Sequence, residues 1–168
     1  MSGGSIIVIA FLAFVAITIF KGVRIVPQGY KWIVQRLGKY HTTLNPGLNF
    51  VIPYVDEVAY KVTTKDIVLD IPSQEVITRD NAVLLMNAVA YINLTTPEKA
   101  VYGIENYSWA IQNLVQTSLR SIVGEMDLDD ALSSRDHIKA RLKSSISDDI
   151  SDWGITLKTV EIQDIKPS

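Results

Sequence analysis

The sequence predicts an α+β protein in which an N-terminal transmembrane helix precedes a domain of two parts, the first rich in strands and the second α+β. Three observations predict this class. Residues 1–20 carry no charge, alternating apolar patterns run through residues 23–94, and helical periodicity begins after Pro97. The composition suits a folded chain, because 48% of its 168 residues are hydrophobic and 20% are charged. We therefore expect an anchor at residues 1–22, a β-rich subdomain at 23–95 and an α+β subdomain at 96–168.

The first element is an apolar run of 15 residues, 6–20, which would make about 22 Å of helix. The uncharged stretch 1–20 reaches about 30 Å, the thickness of a bilayer core, and Lys21 and Arg24 can extend to the headgroups. A cleaved signal peptide would need positive charge before the run, and a buried core helix would show a polar stripe; neither feature is visible. A single transmembrane helix is the expectation, and its anchor residues are Ile6, Ile7, Val8, Ile9, Phe11, Leu12, Phe14, Val15, Ile17, Ile19 and Phe20.

Basic residues follow the apolar run. Five lie between residues 21 and 55, with no acid among them, whereas residues 56–168 hold 11 bases and 18 acids. By the positive-inside rule, this asymmetry predicts that the N-terminus lies outside and that residues 21–168 lie in the cytoplasm. Nucleic acid is a poor fit for so few bases beside an apolar segment. We call the five the basic collar and expect them to meet an anionic membrane surface; they are Lys21, Arg24, Lys31, Arg36 and Lys39.

Residues 23–94 have mostly the patterns of strands. "YKWIVQRLG" (30–38) is rich in β-formers, "GKYHTTLNPG" (38–47) has the chemistry of a connection, and Arg79-Asp80-Asn81 predicts a hairpin. In the strand after that hairpin one face is continuously apolar, so we expect this strand to be central in its sheet. The residues of that face are Leu84, Met86, Ala88, Ala90, Ile92 and Leu94.

The segment "NPGLNFVIPYVD" (45–56) has two interpretations. Its apolar residues at even positions would share one strand face, and Pro53 cannot donate to a ladder, so the strand lies at an edge or ends there. That face either packs inside the domain or, because an anchor and the collar precede it, makes shallow contact with the membrane. Trp32 is likewise either a core residue or an interfacial aromatic. The expected membrane-surface contacts are the basic collar together with Trp32, Leu48, Phe50, Ile52 and Tyr54.

Helical patterns begin at Thr96-Pro97, where Pro suits the first helical position. Apolar stripes predict one helix over 107–124 and another that includes residues 138–150. The segment "ITLKTVEIQDI" (155–165) is a strand whose alternation slips between residues 157 and 160, which predicts a bulge. Trp109 is expected in the core. The change of pattern places the joint between the two subdomains near residues 94–97.

The sequence holds no arrangement typical of a catalytic or metal centre. There is no Cys, and His41 and His137 have no partners at ligand spacing. No nucleophile motif and no Gly-rich phosphate loop occur, and the acids within 125–130 suit a solvated face beside a helix N-terminus. We therefore expect no catalytic residues, no metal site and no cofactor.

The sequence resembles one family through four segments that match in order. They are "VPQGYKWIVQRLGKYHTTLNPGLNFVIPYVD", "VLDIPSQEVITRDNAVLLMNAVAYI", "LRSIVGEMDLDDALSSRDHIKARL" and "WGITLKTVEIQDIKP". These are similar to the stomatin/prohibitin/flotillin (SPFH or band 7) family, and within it to bacterial stomatin-like proteins of the QmcA type. The resemblance covers residues 25–167.

The resemblance implies a β-rich SPFH1 subdomain against a bacterial inner membrane, followed by an α+β SPFH2 subdomain. It implies a scaffold, not an enzyme, that forms rings or cages and organises a membrane microdomain. A long charged coiled-coil helix after "EIQDIKP" would assemble the copies, and we expect that helix beyond Ser168. The implied partners are membrane lipids, further copies, and an AAA membrane protease or an NfeD-like membrane protein. A monomeric tethered adaptor is one alternative, and a membrane-associated hydrolase is another.

Overall fold

The first helix of the computed structural model, which describes residues 2–168, is α1 (Gly3–Gly22). Ser2 caps it, because its side chain accepts a hydrogen bond from the Ser5 amide. Its 20 residues make about 30 Å of helix, and its large apolar side chains are exposed. Among the described residues, α1 is the one helix long and apolar enough to cross a bilayer.

Five strands follow in the first compact unit, which ends at Thr63. A two-stranded antiparallel ribbon joins β1 and β4, and a three-stranded antiparallel sheet has the order β3-β2-β5. A core cluster of Val26, Val34, Leu44 and Val51 lies in this unit, with Trp32 and Val58 packed against it. The strands are β1 (Val23–Val26), β2 (Tyr30–Arg36), β3 (Lys39–Leu44), β4 (Gly47–Phe50) and β5 (Asp56–Thr63).

The residues predicted as a connection over 38–47 are a strand for most of their length. Lys39 to Leu44 form β3, which pairs with β2 from Arg36↔Lys39 to Trp32↔Leu44. The prediction of a connection was therefore wrong here, and His41 lies on a strand. The turn signals lie at the two ends of this segment, in its Gly and Asn-Pro-Gly, whereas its Tyr and Thr residues favour a strand, which pairs with β2.

The second compact unit, Thr64–Ser168, holds one sheet and four helices among its described residues. The antiparallel sheet has the order β6-β7-β8, so β7 is central as predicted, and its apolar face is buried. The stripes of α3 and α5 are buried as well, and α3 ends at the predicted Gly124. The elements are β6 (Ile67–Ile77), β7 (Val83–Leu94), α2 (Pro97–Gly103), α3 (Tyr107–Gly124), α4 (Leu128–Ser133), α5 (Arg135–Ser151) and β8 (Ile155–Pro167).

The long strand β8 explains where the chain divides. It pairs with β7 over its length, and the register skips Lys158 between Leu157 and Thr159, which confirms the predicted bulge. Because β6 and β7 share a sheet with β8, they belong to the second compact unit, and the boundary between the two units lies between Thr63 and Thr64. The change of periodicity predicted a joint near residues 94–97. Periodicity reports local structure, and it carries no information on which distant strand completes a sheet.

Trp109 corrects another prediction. Its side chain is 65% exposed, although it was expected in the core. Trp109 precedes the buried Ile111 by two positions, which is about 200° around a helix. It therefore lies on the side of α3 opposite to the buried stripe. The fold class itself, an apolar helix before a β-rich and then helical α+β chain, is confirmed.

Candidate membrane-contact surface

The end of α1 joins the ribbon without a linker, because Gly22 is the last residue of α1 and Val23 the first of β1. The Val51 amide donates a 2.7 Å hydrogen bond to the carbonyl oxygen of Gly22. A Cβ atom on residue 22 would lie 2.4 Å from the Val51 carbonyl oxygen, a distance that only glycine avoids. The ribbon is thus held directly against the end of the apolar helix.

One face of the ribbon is apolar and exposed. The register pairs Val23 with Phe50 and Ile25 with Leu48, so the four side chains share a face. Ile25, Leu48 and Phe50 are 70%, 63% and 65% exposed, whereas Val26, on the opposite face, is 2% exposed. Three large apolar side chains side by side form an exposed apolar patch, a feature typical of interaction surfaces. We call Val23, Ile25, Leu48 and Phe50 the ribbon face.

The turn after β4 adds apolar side chains beside the end of α1. Ile52 is 50% exposed, and Tyr54 is 78% exposed with a positive φ of 73°. The Lys21 ammonium donates a 3.4 Å hydrogen bond to the Tyr54 hydroxyl and lies 5.5 Å from the centre of its ring. This turn therefore lies next to the last turn of the helix.

The segment 45–56 is not the single strand that its alternation predicted. Strand β4 ends at Phe50, Val51 is buried, and residues 53–55 form a turn. The four residues expected on one strand face therefore lie partly on the ribbon and partly on the turn. All four are exposed, namely Leu48, Phe50, Ile52 and Tyr54.

The basic collar is divided by the fold. Arg24 lies at the end of α1, where its guanidinium donates to the carbonyl oxygens of Lys21 at 2.6 Å and Val23 at 2.9 Å. Cations are favoured at this end of a helix because its last carbonyl groups carry partial negative charge. Lys21 and Arg24 thus remain together at the point where the chain leaves the apolar helix.

Arg36 pairs with an acid that lies just after residues 21–55, the segment that holds the basic collar. Its guanidinium makes two hydrogen bonds to the Asp56 carboxylate, at 2.7 and 3.1 Å, and Asp56 also accepts one from the Ile52 amide. The bond from Arg36 is the largest cause that lowers the pKa of Asp56 to about 2. The side chain of Asp56 is 2% exposed, so this pair holds the turn in place and leaves no free positive charge.

Lys31 and Trp32 lie at the other end of β2. Lys31 pairs with Val62, whereas Arg36 pairs with Asp56 and Lys39 beside the turn. Five residues of strand, or roughly 17 Å, separate these two ends. Trp32 packs against the core cluster, and the Lys61 ammonium lies 4.5 Å from its ring. The structure therefore groups Lys21, Arg24, Arg36 and Lys39 near α1, and it does not bring Lys31 and Trp32 to them.

Ile25 is an exposed residue of the ribbon face that the sequence interpretation missed. It is as exposed as Phe50 and lies directly opposite Leu48. The sequence signal was the alternation within "VRIV", but assigning its outer face requires the pairing of β1 with β4, which are separated by two other strands. Arg24, next to Ile25, was recognised because charge can be assigned without pairing.

The two histidines and a groove in the second unit are the other features considered for chemistry. No group of three or more His, Asp and Glu side chains there could hold a metal ion. His41 lies on β3 and His137 on α5, in different compact units. An open groove of about 670 Å³ in the second unit contains His137 and Arg141, and Arg141 donates a 2.9 Å hydrogen bond to Glu125.

Comparisons with known proteins give one family. The family model described as "SPFH domain / Band 7 family" matches residues 24–168. An uncharacterized protein of Methanocaldococcus jannaschii is 41% identical over 149 residues, which are 89% of this chain and 74% of that protein.

Two further relatives are longer than this chain. Human stomatin-like protein 2, mitochondrial, is 38% identical over 140 residues, which are 83% of this chain and 39% of that protein. An uncharacterized protein of Mycobacterium tuberculosis is 36% identical over 168 residues, which are 98% of this chain and 44% of that protein. The chain therefore spans less than half the length of these two relatives.

Proposed function

The chain belongs to the SPFH domain / Band 7 family, and from this premise we propose that it is a membrane-anchored scaffold. In this proposal α1 spans the bilayer, the ribbon face rests in the headgroup region, and many copies assemble side by side around a patch of lipid. The protein organises membrane components and has no catalytic role. A more specific assignment to the QmcA type stays a prediction.

The observation that carries the proposal is the apolar ribbon face locked to the end of an apolar helix. Complete burial of an exposed Ile, Leu or Phe side chain contributes roughly 1.5–3 kcal/mol. Ile25, Leu48 and Phe50 are about two-thirds exposed, and entry into the headgroup region is shallow. We therefore estimate that their shallow burial together contributes on the order of 3 kcal/mol to membrane binding. Deeper entry is opposed, because unpaired backbone groups at the ribbon edges cannot leave water.

Charge supports the same orientation. Lys21, Arg24 and Lys39 lie at the α1 end of the first unit, and each base near an anionic leaflet contributes on the order of 1 kcal/mol. The positive-inside rule then favours the cytoplasmic leaflet for residues 21–168 and the opposite side for the N-terminus. We extend the proposal to a single-pass protein of a bacterial inner membrane.

Assembly follows from the anchoring. Copies held in one leaflet meet in two dimensions, which raises their effective concentration and favours lateral contacts that are weak in solution. A closed ring or cage would separate the membrane proteins inside it from those outside. The family resemblance suggests an AAA membrane protease or an NfeD-like membrane protein as the regulated partner.

The size of the full-length protein in lipid nanodiscs or mild detergent tests the scaffold. We expect a discrete assembly of many copies by mass photometry or light scattering. A monomer across the accessible concentration range would contradict the scaffold and support a tethered adaptor.

A further inference from the structure

The β2–β3 turn carries an apolar side chain where both the backbone and the solvent favour a polar one. Leu37 has a φ of 54° and Gly38 a φ of 82°, so both turn positions are left-handed, a geometry that favours Asn-Gly. Left-handed backbone is unfavourable for Leu because its Cβ crowds the following carbonyl oxygen. The Leu37 side chain is also 82% exposed. Neither local conformation nor contact with water accounts for leucine at this position.

The turn lies at the same end of the first unit as the terminus of α1. The Leu37 amide donates a 3.1 Å hydrogen bond to the carbonyl oxygen of Val55. Tyr54, the preceding residue, bonds through its hydroxyl to Lys21 in the last turn of α1. The contacts from Leu37 through residues 54–55 to Lys21 therefore connect the tip of the turn to the apolar helix.

We propose that Leu37 inserts into the boundary between lipid headgroups and acyl chains, as a second contact point beside the ribbon face. This inference rests on the proposed function, because it requires α1 to span a bilayer. Removal of the leucine side chain from water favours insertion. The occupant is lipid and not a second copy, because the turn adjoins the helix end and Lys39, two residues further on, favours an anionic headgroup surface.

Depth-dependent quenching tests the inference on the full-length chain in nanodiscs. The chain has no Cys, so a single introduced Cys can carry a fluorescent probe. We compare Leu37→Cys with Phe50→Cys on the ribbon face and with Gln28→Cys, an exposed position in the turn at the other end of β2. The quenchers are nitroxides attached to the lipid near the headgroup. We expect quenching at positions 37 and 50 to exceed that at position 28 by about threefold or more.

The outcomes separate the inference from the proposed function. If the probe at position 50 is strongly quenched but the probe at position 37 is quenched no more than that at position 28, the role of Leu37 is overturned and the ribbon face is unaffected. Weak quenching at all three positions would overturn both. A blue-shifted, unquenched probe at position 37 would identify a protein occupant, such as a second copy, and would also overturn the inference.

The variant Leu37→Asn gives a second test that does not depend on a label. Asparagine tolerates positive φ better than leucine, so in water this replacement would raise the melting temperature of the domain. If Leu37 lies in lipid, the lost contact opposes that gain, and we expect the melting temperature in nanodiscs to fall by a few degrees. A rise in nanodiscs would contradict the inference.

Discussion

Phe50 offers the most direct test of the ribbon face, because one replacement distinguishes membrane contact from internal packing. The ring is 65% exposed and lies opposite Val23 at the α1 end of the ribbon. Replacement by Asp therefore removes little buried area from the folded protein. It places a negative charge where the proposal puts anionic headgroups.

The expected magnitude follows from the exposure. Phe side chains contribute roughly 3 kcal/mol on complete burial, and about half of that is available to a side chain that enters the interface shallowly. Repulsion between the new carboxylate and an anionic leaflet adds on the order of 1 kcal/mol. The sum of about 2–3 kcal/mol corresponds to a reduction in membrane partitioning of roughly 30–150-fold.

The assay is flotation of a chain lacking residues 1–20 with vesicles that contain anionic lipid, at low salt. Urea unfolding measured in parallel should change by less than about 0.5 kcal/mol for Phe50→Asp, as is usual for exposed sites. Val51→Asp is the matched control, because the neighbouring Val51 is buried in the core cluster and its replacement should unfold the unit. Unchanged flotation of folded Phe50→Asp, or its unfolding, would refute the reasoning.

Three further predictions concern the residues around this surface. Gly22→Ala places a Cβ 2.4 Å from the Val51 carbonyl oxygen, so we expect the free energy of unfolding to fall by about 1–3 kcal/mol and the Val51 amide to exchange hydrogen faster. Gly4→Ala is the control, because the nearest atom to its new Cβ is 4.0 Å away, and it should show neither effect. The pKa of Asp56 is lowered from 3.8 to about 2, so its contribution to stability is complete above about pH 4 and is lost as the pH falls towards 2. We expect Asp56→Asn to lower the free energy of unfolding, measured in urea, by roughly 1–2 kcal/mol at pH 7, and this difference from the unaltered protein to shrink below pH 4. A difference that stays constant with pH would show that the Arg36–Asp56 ion pair is not its cause. Lys39→Glu should weaken flotation at low salt more than Lys31→Glu, because Lys39 lies on β3 opposite Arg36, near α1, whereas Lys31 lies at the far end of β2. Equal effects would contradict the division of the collar.

Features that depend on a short stretch of residues were predictable. The apolar helix α1 follows from a long run of residues that has no polar stripe. The buried stripe of α3 follows from the helical spacing of positions such as Ile111, Val115 and Leu119. The continuous apolar face of β7 predicts a central strand, and β7 lies between β6 and β8. In each case the determining information lies within one element, since side-chain direction follows directly from helical or strand geometry.

The composition of the candidate surface shows where such local information ends. Leu48 and Phe50 were identified from their own alternation, but Ile25 joins them only through the register between β1 and β4. Arg36 was counted as a free base, and only the β2–β5 pairing brings Asp56 to it. Lys31 and Lys39 are close in sequence, but Lys39 lies on β3 opposite Arg36, at the other end of β2 from Lys31.

The sequence by itself thus determined that this chain begins with an apolar helix, followed by a basic segment and a β-rich then helical domain. Only the tertiary structure decided which apolar side chains face outward beside α1, which bases remain there, and that β6 and β7 share a sheet with β8. The physical reason is that strand pairing joins residues far apart in the chain, and the register of that pairing sets the direction of every side chain on the strand.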